Sequence, residues 1–287
     1  MLDTKFVGVA GTGMMGAGIA EVAAKAGFKV ILRGRTQAAA DAALGKVSRS
    51  LEFQVAKGKL PPEEGAAALD RVRTTTDIGD LGRCSIVVES VVEDLDVKRQ
   101  LFADLDRVCS EETILATNTS TLAVSEIALG TKRPGRVVGL HFFNPAPRMP
   151  LVEIVSAPST SDATTGAARQ FAEECGKDAV MVKDSAGFIV NALLFPYLNS
   201  AIRMLDSEIA SKEDIDAAMK GGCSFPMGPL ELLDFVGLDT SLAILNVLYE
   251  EHHDPCSAPA PLLKRMVTAG RLGRKTGQGF YDYPSAK

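Results

Sequence analysis

The sequence predicts an α/β domain built on a mostly parallel sheet, followed by a smaller all-α domain. Three observations predict it. Gly11-Thr12-Gly13-Met14-Met15-Gly16 stands between an apolar run of strand length and an Ala-rich run of helix length. Strand-like and helical patterns then alternate as far as about residue 184. From Phe188 onward only helical patterns remain. Alternating β and α runs imply a sheet covered by helices, and a later helical stretch implies a second core.

The elements follow in order. Lys5 to Ala10 is short and mostly apolar, as a buried strand is, and leads into the glycine-rich turn. Ala17 to Ala26 favours helix, and Gly27 closes it as a C-terminal glycine would. Gly11 permits the tight turn, Gly13 lets the backbone approach a pyrophosphate, and Gly16 lets helix and strand pack closely. The helix N-terminus offers its N–H groups and partial positive charge to that anion, and Met14 and Met15 of the turn are counted with the glycines among the cofactor-binding residues. Strand, loop, helix and second strand in this order make a Rossmann-type dinucleotide-binding fingerprint. The stretch from about Gln37 to Leu69 reads as helical with a break near Pro61-Pro62. Ser85–Glu89, Thr113–Thr117 and Arg136–Leu140 read as buried strands. Val97 to Val108 repeats Leu101, Leu105 and Val108 at helical spacing. Strands at Leu151–Val155 and Ala179–Val182 flank a helix at Ala163–Cys175. Val190–Leu205, Lys212–Met219 and Leu230–Glu250 complete the helical part. The boundary falls at Ser185-Ala186-Gly187, giving domains of 1–186 and 187–287.

One position departs from the fingerprint. NAD-binding versions place an Asp or Glu about 20 residues beyond the glycines, where it accepts hydrogen bonds from the ribose hydroxyls. Here the strand ends Leu32-Arg33-Gly34-Arg35-Thr36, with Gly34 at the expected acidic position. A carboxylate there would repel a 2′-phosphate, whereas a glycine leaves space for one. Arg33 and Arg35 offer guanidinium forks that suit phosphate oxygens, and Thr36 adds a hydroxyl. These residues predict NADP(H) as the favoured cofactor, with NAD(H) as the alternative and solvated arginines at a strand end as the bland reading.

Composition narrows the class. A net charge of −5 gives no support to nucleic acid or an anionic membrane as partner. No apolar run reaches membrane-spanning length, and the N-terminus leads straight into the first strand, leaving no room for a signal peptide. Cys84, Cys109, Cys175, Cys223 and Cys256 are odd in number and lack C-x-x-C spacing, which predicts reduced, mostly packed thiols in a cytoplasmic protein. His252 and His253 are adjacent without matched ligands, so no metal is expected.

His141, in His141-Phe142-Phe143-Asn144-Pro145, lies at the carboxyl end of a strand, where ligands collect in open α/β sheets. Its ordinary pKa suits proton exchange at neutral pH. Glu153 is a carboxylate within an apolar strand, a place that demands a partner. Paired, the two would form an oriented acid/base; singly, they read as a satisfied core histidine and a solvated glutamate. No spacing rule makes them neighbours.

Together with the glycine motif, Val88-Glu89-Ser90-Val91-Val92-Glu93, Thr117-Asn118-Thr119-Ser120 and His141-Phe142-Phe143-Asn144-Pro145 carry a resemblance over essentially the whole chain. It continues through Gly187-Phe188-Ile189-Val190-Asn191, Pro226-Met227-Gly228-Pro229-Leu230 and Gly273-Arg274-Lys275-Thr276-Gly277-Gln278-Gly279-Phe280-Tyr281. The chain resembles the short-chain L-3-hydroxyacyl-CoA dehydrogenases, in particular the bacterial 3-hydroxybutyryl-CoA type. The resemblance implies that His141 is the general acid/base and Glu153 its orienting carboxylate. It implies that Ser120 and Asn191 bind the substrate's 3-oxygen, and that Glu93, Lys98, Ser120, Asn144 and Lys275 contact the ribose and nicotinamide side of the cofactor. Ser50 and Lys57 then face the CoA portion, in a helical hairpin (about 37–69) projecting from the first domain. The helical domain would serve substrate binding and form a homodimer.

Departures from the family pattern leave alternatives. Gly34 replaces its usual Asp, which favours NADP(H) and the reduction of acetoacetyl-CoA-like substrates. Phe53 and Ala56 stand where bacterial relatives often carry Lys, with Lys46, Lys57 and Lys59 nearby to compensate. The other readings are an NAD-dependent β-oxidation enzyme, a dehydrogenase for a carrier-protein-bound hydroxyacyl group, and a catalytically silent, crystallin-like structural relative.

Overall fold

The computed structural model describes residues 6–283, which form two compact units divided between Ser185 and Ala186. The first unit is an eight-stranded sheet with helices packed on it. Its strands are β1 (Phe6–Ala10), β2 (Lys29–Arg33), β3 (Val72–Thr75), β4 (Ile86–Glu89), β5 (Ile114–Thr117), β6 (Val137–Phe142), β7 (Leu151–Ser156) and β8 (Asp178–Lys183). Their order across the sheet is β3-β2-β1-β4-β5-β6-β7-β8. The first six are parallel in the dinucleotide-binding order, β7 runs antiparallel to β6, and β8 is parallel to β7. β1, β4, β5 and β6 are buried along almost their whole lengths, which is why they read as continuous apolar runs.

The intervening helices are α1 (Met14–Lys25), α2 (Gln37–Ala56), α3 (Pro62–Asp70), α4 (Leu95–Val108), α5 (Val124–Ala128) and α6 (Asp162–Glu174). Gly27 ends α1 at φ +96°, a conformation that favours glycine. Thr36 caps α2 by accepting from Ala39 N, and Asp94 caps α4 by accepting from Val97 N at 2.9 Å. The inner faces of α1, α2 and α6 share one apolar core with the sheet, through Ile19, Ala23, Ala43, Val47, Leu51 and Phe171. β3 and α5 carry no clear periodic signal in the sequence; each is short and held by its neighbours. Asp184 fixes the start of α5 by accepting from Val124 N and Ser125 N.

The second unit is helical: α7 (Val190–Asp206), α8 (Lys212–Cys223), α9 (Pro229–Val236), α10 (Leu238–His252) and α11 (Pro261–Thr268). The single helix expected over Leu230–Glu250 is two helices, meeting at 99°. Gly237 makes the break, because its φ of +103° cannot continue a right-handed helix. Leu198 and Ile202 of α7 are core residues packed with Leu230, Leu233, Leu245 and Leu263, whereas Leu193 is exposed. Among the described residues no single helix is long and apolar enough to cross a membrane.

Candidate active site

The sequence singles out the carboxyl ends of β4, β5 and β6, and the structure builds a hydrogen-bonded network there. β6 and β7 are antiparallel with His141 directly opposite Glu153. Both side chains are buried, and Glu153 Oε2 lies 2.7 Å from His141 Nδ1. On the far side of the ring, His141 Nε2 is 3.1 Å from Ser120 Oγ. With Nδ1–H donated to Glu153, Nε2 of the neutral ring is left as the acceptor for the serine hydroxyl. The Phe143 ring packs against the imidazole with centroids 4.5 Å apart. Asn118 ties the ends of β5 and β6 by accepting from Phe142 N at 2.9 Å.

Ser120 sits in a loop gripped by Glu93. One Glu93 oxygen accepts from Ser120 N at 2.9 Å, from Thr121 N and Thr121 Oγ1 at 3.1 Å each, and from the Thr119 hydroxyl. Its other oxygen is 3.2 Å from Lys98 Nζ. Burial works against the Glu93 carboxylate, but the Lys98 charge and the Thr119 and Ser120 donors outweigh it and hold its pKa below the ordinary value. Lys98 is fully buried and also binds Glu89, 2.7 Å away. Glu89 is a member of this network that the residue-by-residue reading missed. The available signal was a carboxylate ending an otherwise apolar strand, the same signal that drew attention to Glu153.

The turn after β1 has the shape of an open cradle. A side chain at Gly11 would strike the Ser90 carbonyl, and one at Gly16 would strike the Gly11 carbonyl. A Cβ on Gly13 meets nothing within 4 Å, so the loop is open where an anion would approach. Gly13 is also the N-cap of α1 and supplies no side-chain cap, which leaves the first N–H groups at Met14, Met15 and Gly16 free of a protein side-chain acceptor there. Met14 is exposed and Met15 half-buried. These features fit a dinucleotide pyrophosphate.

The end of β2 differs from expectation. Gly34 is buried, and a Cβ there would lie 2.9 Å from Ala40 N and 3.0 Å from the Ala40 methyl and Thr36 carbonyl. The glycine therefore lets the first turn of α2 close on the strand, and this packing accounts for it without a ligand. The Thr36 hydroxyl is engaged as the α2 cap, and Arg35 is exposed. Arg33 is half-buried, and no partner among the described residues reaches its buried Nε. That donor fits an acceptor on the adenosine half of a dinucleotide.

Ser50 and Lys57 lie on α2 and at its C-terminal end. Ser50 is in contact with Gln54, and Lys57 Nζ stands 5.7 Å from the centre of the Phe53 ring, so the phenylalanine that replaces a lysine helps to hold the next one. Lys46 Nζ donates to the Thr12 carbonyl in the glycine loop at 3.2 Å. Asn144 is exposed in the loop after β6. In the helical unit, Asn191 is buried in the first turn of α7, and Lys275 binds both oxygens of Asp239. No group of three or more His, Cys, Asp or Glu among the described residues could hold a metal ion.

Comparison with known proteins settles the family. Residues 6–185 match the family described as "3-hydroxyacyl-CoA dehydrogenase, NAD binding domain", and residues 187–283 match "3-hydroxyacyl-CoA dehydrogenase, C-terminal domain". A 3-hydroxybutyryl-CoA dehydrogenase of Mycobacterium tuberculosis is 48% identical over 279 residues, covering 96% of this chain and 98% of its own. The crystal structure of FadB2 from the same organism superposes with a TM-score of 0.96 at 47% identity, covering 98% of this chain and 99% of that one. The (S)-3-hydroxybutyryl-CoA dehydrogenase PaaH1 of Ralstonia eutropha does so with a TM-score of 0.96 at 41% identity, covering 99% and 100%. The match of the first unit to an NAD-binding family overturns the expectation of NADP(H), and packing against α2 gives Gly34 a structural reason of its own. The chain belongs to the 3-hydroxyacyl-CoA dehydrogenase family and is a nicotinamide-dinucleotide-dependent oxidoreductase of that type, acting on acyl-CoA substrates.

Proposed function

We propose that the protein interconverts a short 3-oxoacyl-CoA, of the acetoacetyl-CoA kind, and the (S)-3-hydroxyacyl-CoA, using NAD(H). The observation that carries this reading is the Ser120–His141–Glu153 chain, with contacts of 3.1 and 2.7 Å and two of its three members buried. NAD(H), when bound, would supply hydride chemistry at carbon 3 of the substrate. In the reductive direction His141 Nε2 gives its proton to the oxygen on that carbon, while Glu153 keeps Nδ1–H and balances the imidazolium charge before transfer. Ser120 donates to the same oxygen as negative charge develops on it. In oxidation His141 is the base. Asn191 is the second proposed donor to that oxygen.

Gly11, Gly13 and Gly16 admit the cofactor's pyrophosphate to the α1 N-terminus, with Met14 and Met15 supplying backbone N–H. Where the usual carboxylate would accept from the ribose hydroxyls, the Arg33 Nε instead offers a donor to the adenosine side, with Arg35 and Thr36 beside it. Glu93, Lys98, Asn144 and Lys275 serve the ribose and nicotinamide side, and Ser50 and Lys57 the CoA side. The exposed Leu193, Met204 and Ile209 of the helical unit support a homodimer formed through that unit. Acetoacetyl-CoA reduction followed by loss of NADH absorbance tests the reading. Saturable turnover is expected, and its absence with soluble, folded protein would sink the proposal.

A further inference from the structure

Glu89 is fully buried at the end of β4, and two of its side-chain contacts, with Lys98 and Thr117, lead toward the Ser120 loop. Its Oε1 accepts from Val91 N at 2.6 Å and from Lys98 Nζ at 2.7 Å. Its Oε2 accepts from Thr117 Oγ1 at 2.7 Å, and Thr117 is the residue opposite Glu89 in the β4–β5 register. The chain from Thr117 to Thr121 is therefore fastened twice. Glu89 holds its start through the Thr117 side chain, and Glu93 holds its end through Thr119, Ser120 and Thr121.

Lys98 joins the two fasteners. Two carboxylates this close to one loop would repel each other, and an ammonium with no exposed surface would be expensive to bury alone. Glu89 neutralises Lys98 at 2.7 Å, and Lys98 in turn meets Glu93 at 3.2 Å. Glu93 thereby keeps one oxygen for Lys98 and the other for the loop. Without the Glu89 charge, Lys98 would be left to Glu93 alone and would draw that carboxylate away from the Ser120 and Thr121 amides.

We infer that Glu89 is a positioning residue for the reaction: acting through Lys98 and Glu93, it fixes the loop that sets Ser120 Oγ against His141 Nε2. It touches neither of those two atoms itself. The inference rests on the proposed roles of Ser120 and His141 only for its kinetic consequence.

Glu89→Gln isolates the charge. Both Lys98 Nζ and Val91 N are bound to one oxygen, which the Gln carbonyl can replace, while the Gln amide can donate to the Thr117 hydroxyl. The heavy-atom contacts are kept, with the Thr117 hydroxyl changing from donor to acceptor. The first measurement is hydrogen–deuterium exchange on the protein without cofactor or substrate. Amides of residues 118–122 are expected to exchange about tenfold faster in E89Q, the scale of one weakened hydrogen bond, with β4 and α4 still protected. Unchanged exchange in 118–122, or equal loosening of β4, β5 and α4, would overturn the inference. Because that readout needs no turnover, it stands apart from any failure of the acetoacetyl-CoA assay.

The second measurement is kinetic. E89Q is expected to lower kcat by about tenfold to a hundredfold, as misplacement of a reacting group does, with KM for the acyl-CoA held within about threefold. Lys98→Met and the E89Q/K98M double variant complete a cycle. If Glu89 acts through Lys98, the double variant is no slower than K98M alone. Losses that multiply would show independent roles and overturn the inference, as would a kcat for E89Q within twofold of the unmodified enzyme. The double variant leaves no unpaired buried ammonium, so it decides the matter if E89Q folds poorly.

Discussion

Among the described residues the sheet unit buries Glu21, Glu89 and Glu153 and the helical unit Asp216 and Asp234, and Glu89 and Glu153 differ from the helical pair in what they hold. In the sheet unit, Glu153 holds a histidine and Glu89 holds a lysine, groups whose charge or proton can be used. In the helical unit, Asp216 accepts from Leu230 N and Glu231 N, capping α9 from a distance in sequence, and takes the Tyr281 hydroxyl as well. Asp234 accepts from Phe280 N, Tyr281 N and the Tyr283 hydroxyl. Asn199 does similar work, donating to Cys256 and Ala258 carbonyls and accepting from Ala260 N. The acids of the helical unit hold backbone amides and tyrosine hydroxyls and anchor the fold, whereas Glu153 and Glu89 each hold a side chain that can carry a positive charge. The glycines around the anchors obey the same logic, since a Cβ on Gly228 would enter Asp216 and one on Gly279 would enter Asp234.

His141→Gln puts the largest strain on this contrast. It is expected to lower kcat by about 10²- to 10⁴-fold while leaving NADH binding and the thermal midpoint near those of the unmodified protein. Near-normal turnover in steady-state assays would make Glu153 an anchor after all. Asp234→Ala should do the reverse. Two backbone N–H groups and a tyrosine hydroxyl lose their acceptor, which costs about 2–5 kcal/mol in urea unfolding. Any kcat loss beyond the unfolded fraction would mean that Asp234 is more than an anchor.

Acid titration gives a smaller test with a definite sign. Glu93 has a lowered folded pKa, so its contribution to stability is present above the unfolded value and is lost as pH falls through the folded one. Asp234 is pushed upward by burial, against the pull of the Tyr281 and Phe280 amides, so its contribution is present below the unfolded value and is lost as pH rises through the folded one. Urea midpoints measured downward through the carboxylate range should therefore fall less for Glu93→Gln than for the unmodified chain. An equal or steeper fall would show that the Lys98 charge and the loop donors do not outweigh burial at Glu93. The smallest effect concerns the thiols. Burial raises Cys84 and Cys175 to about 12 and Cys109 to about 11, all in the sheet unit, whereas Cys223 and Cys256 of the helical unit are exposed. Iodoacetamide at mildly alkaline pH should label the last two and spare the first three, as peptide mass mapping would show.

Much of this was legible before any coordinates. The glycine fingerprint, the buried strands and the change of texture after Phe188 follow from steric rules and periodicity, which act locally. The His141–Glu153 pair did not follow, because it depends on β7 turning back along β6, and nothing in two apolar runs declares whether they are parallel. Had the stretch between Phe142 and Leu151 been read as a hairpin, the register would have placed the two residues opposite each other. Gly34 shows the opposite hazard. Its neighbours in sequence suggested a ligand, while its neighbour in space, Ala40, explains the residue. Gly237 was hidden for a similar reason: a glycine inside an apolar helical pattern is tolerated until its φ is known.

The antiparallel register of β6 and β7 also bears on inheritance. Lys177 donates to the carbonyls of Ala146 and Met149 at 2.7 and 2.8 Å, pinning the connecting loop so that it has little slack. Loss of the codon for Leu151 or Val152 would consequently advance the strand by one residue and bring Ile154 opposite His141 in place of Glu153, turning the carboxylate to the other face of the sheet. Such an in-frame deletion would silence the enzyme as thoroughly as replacing the histidine, although every residue named in the mechanism would still be encoded.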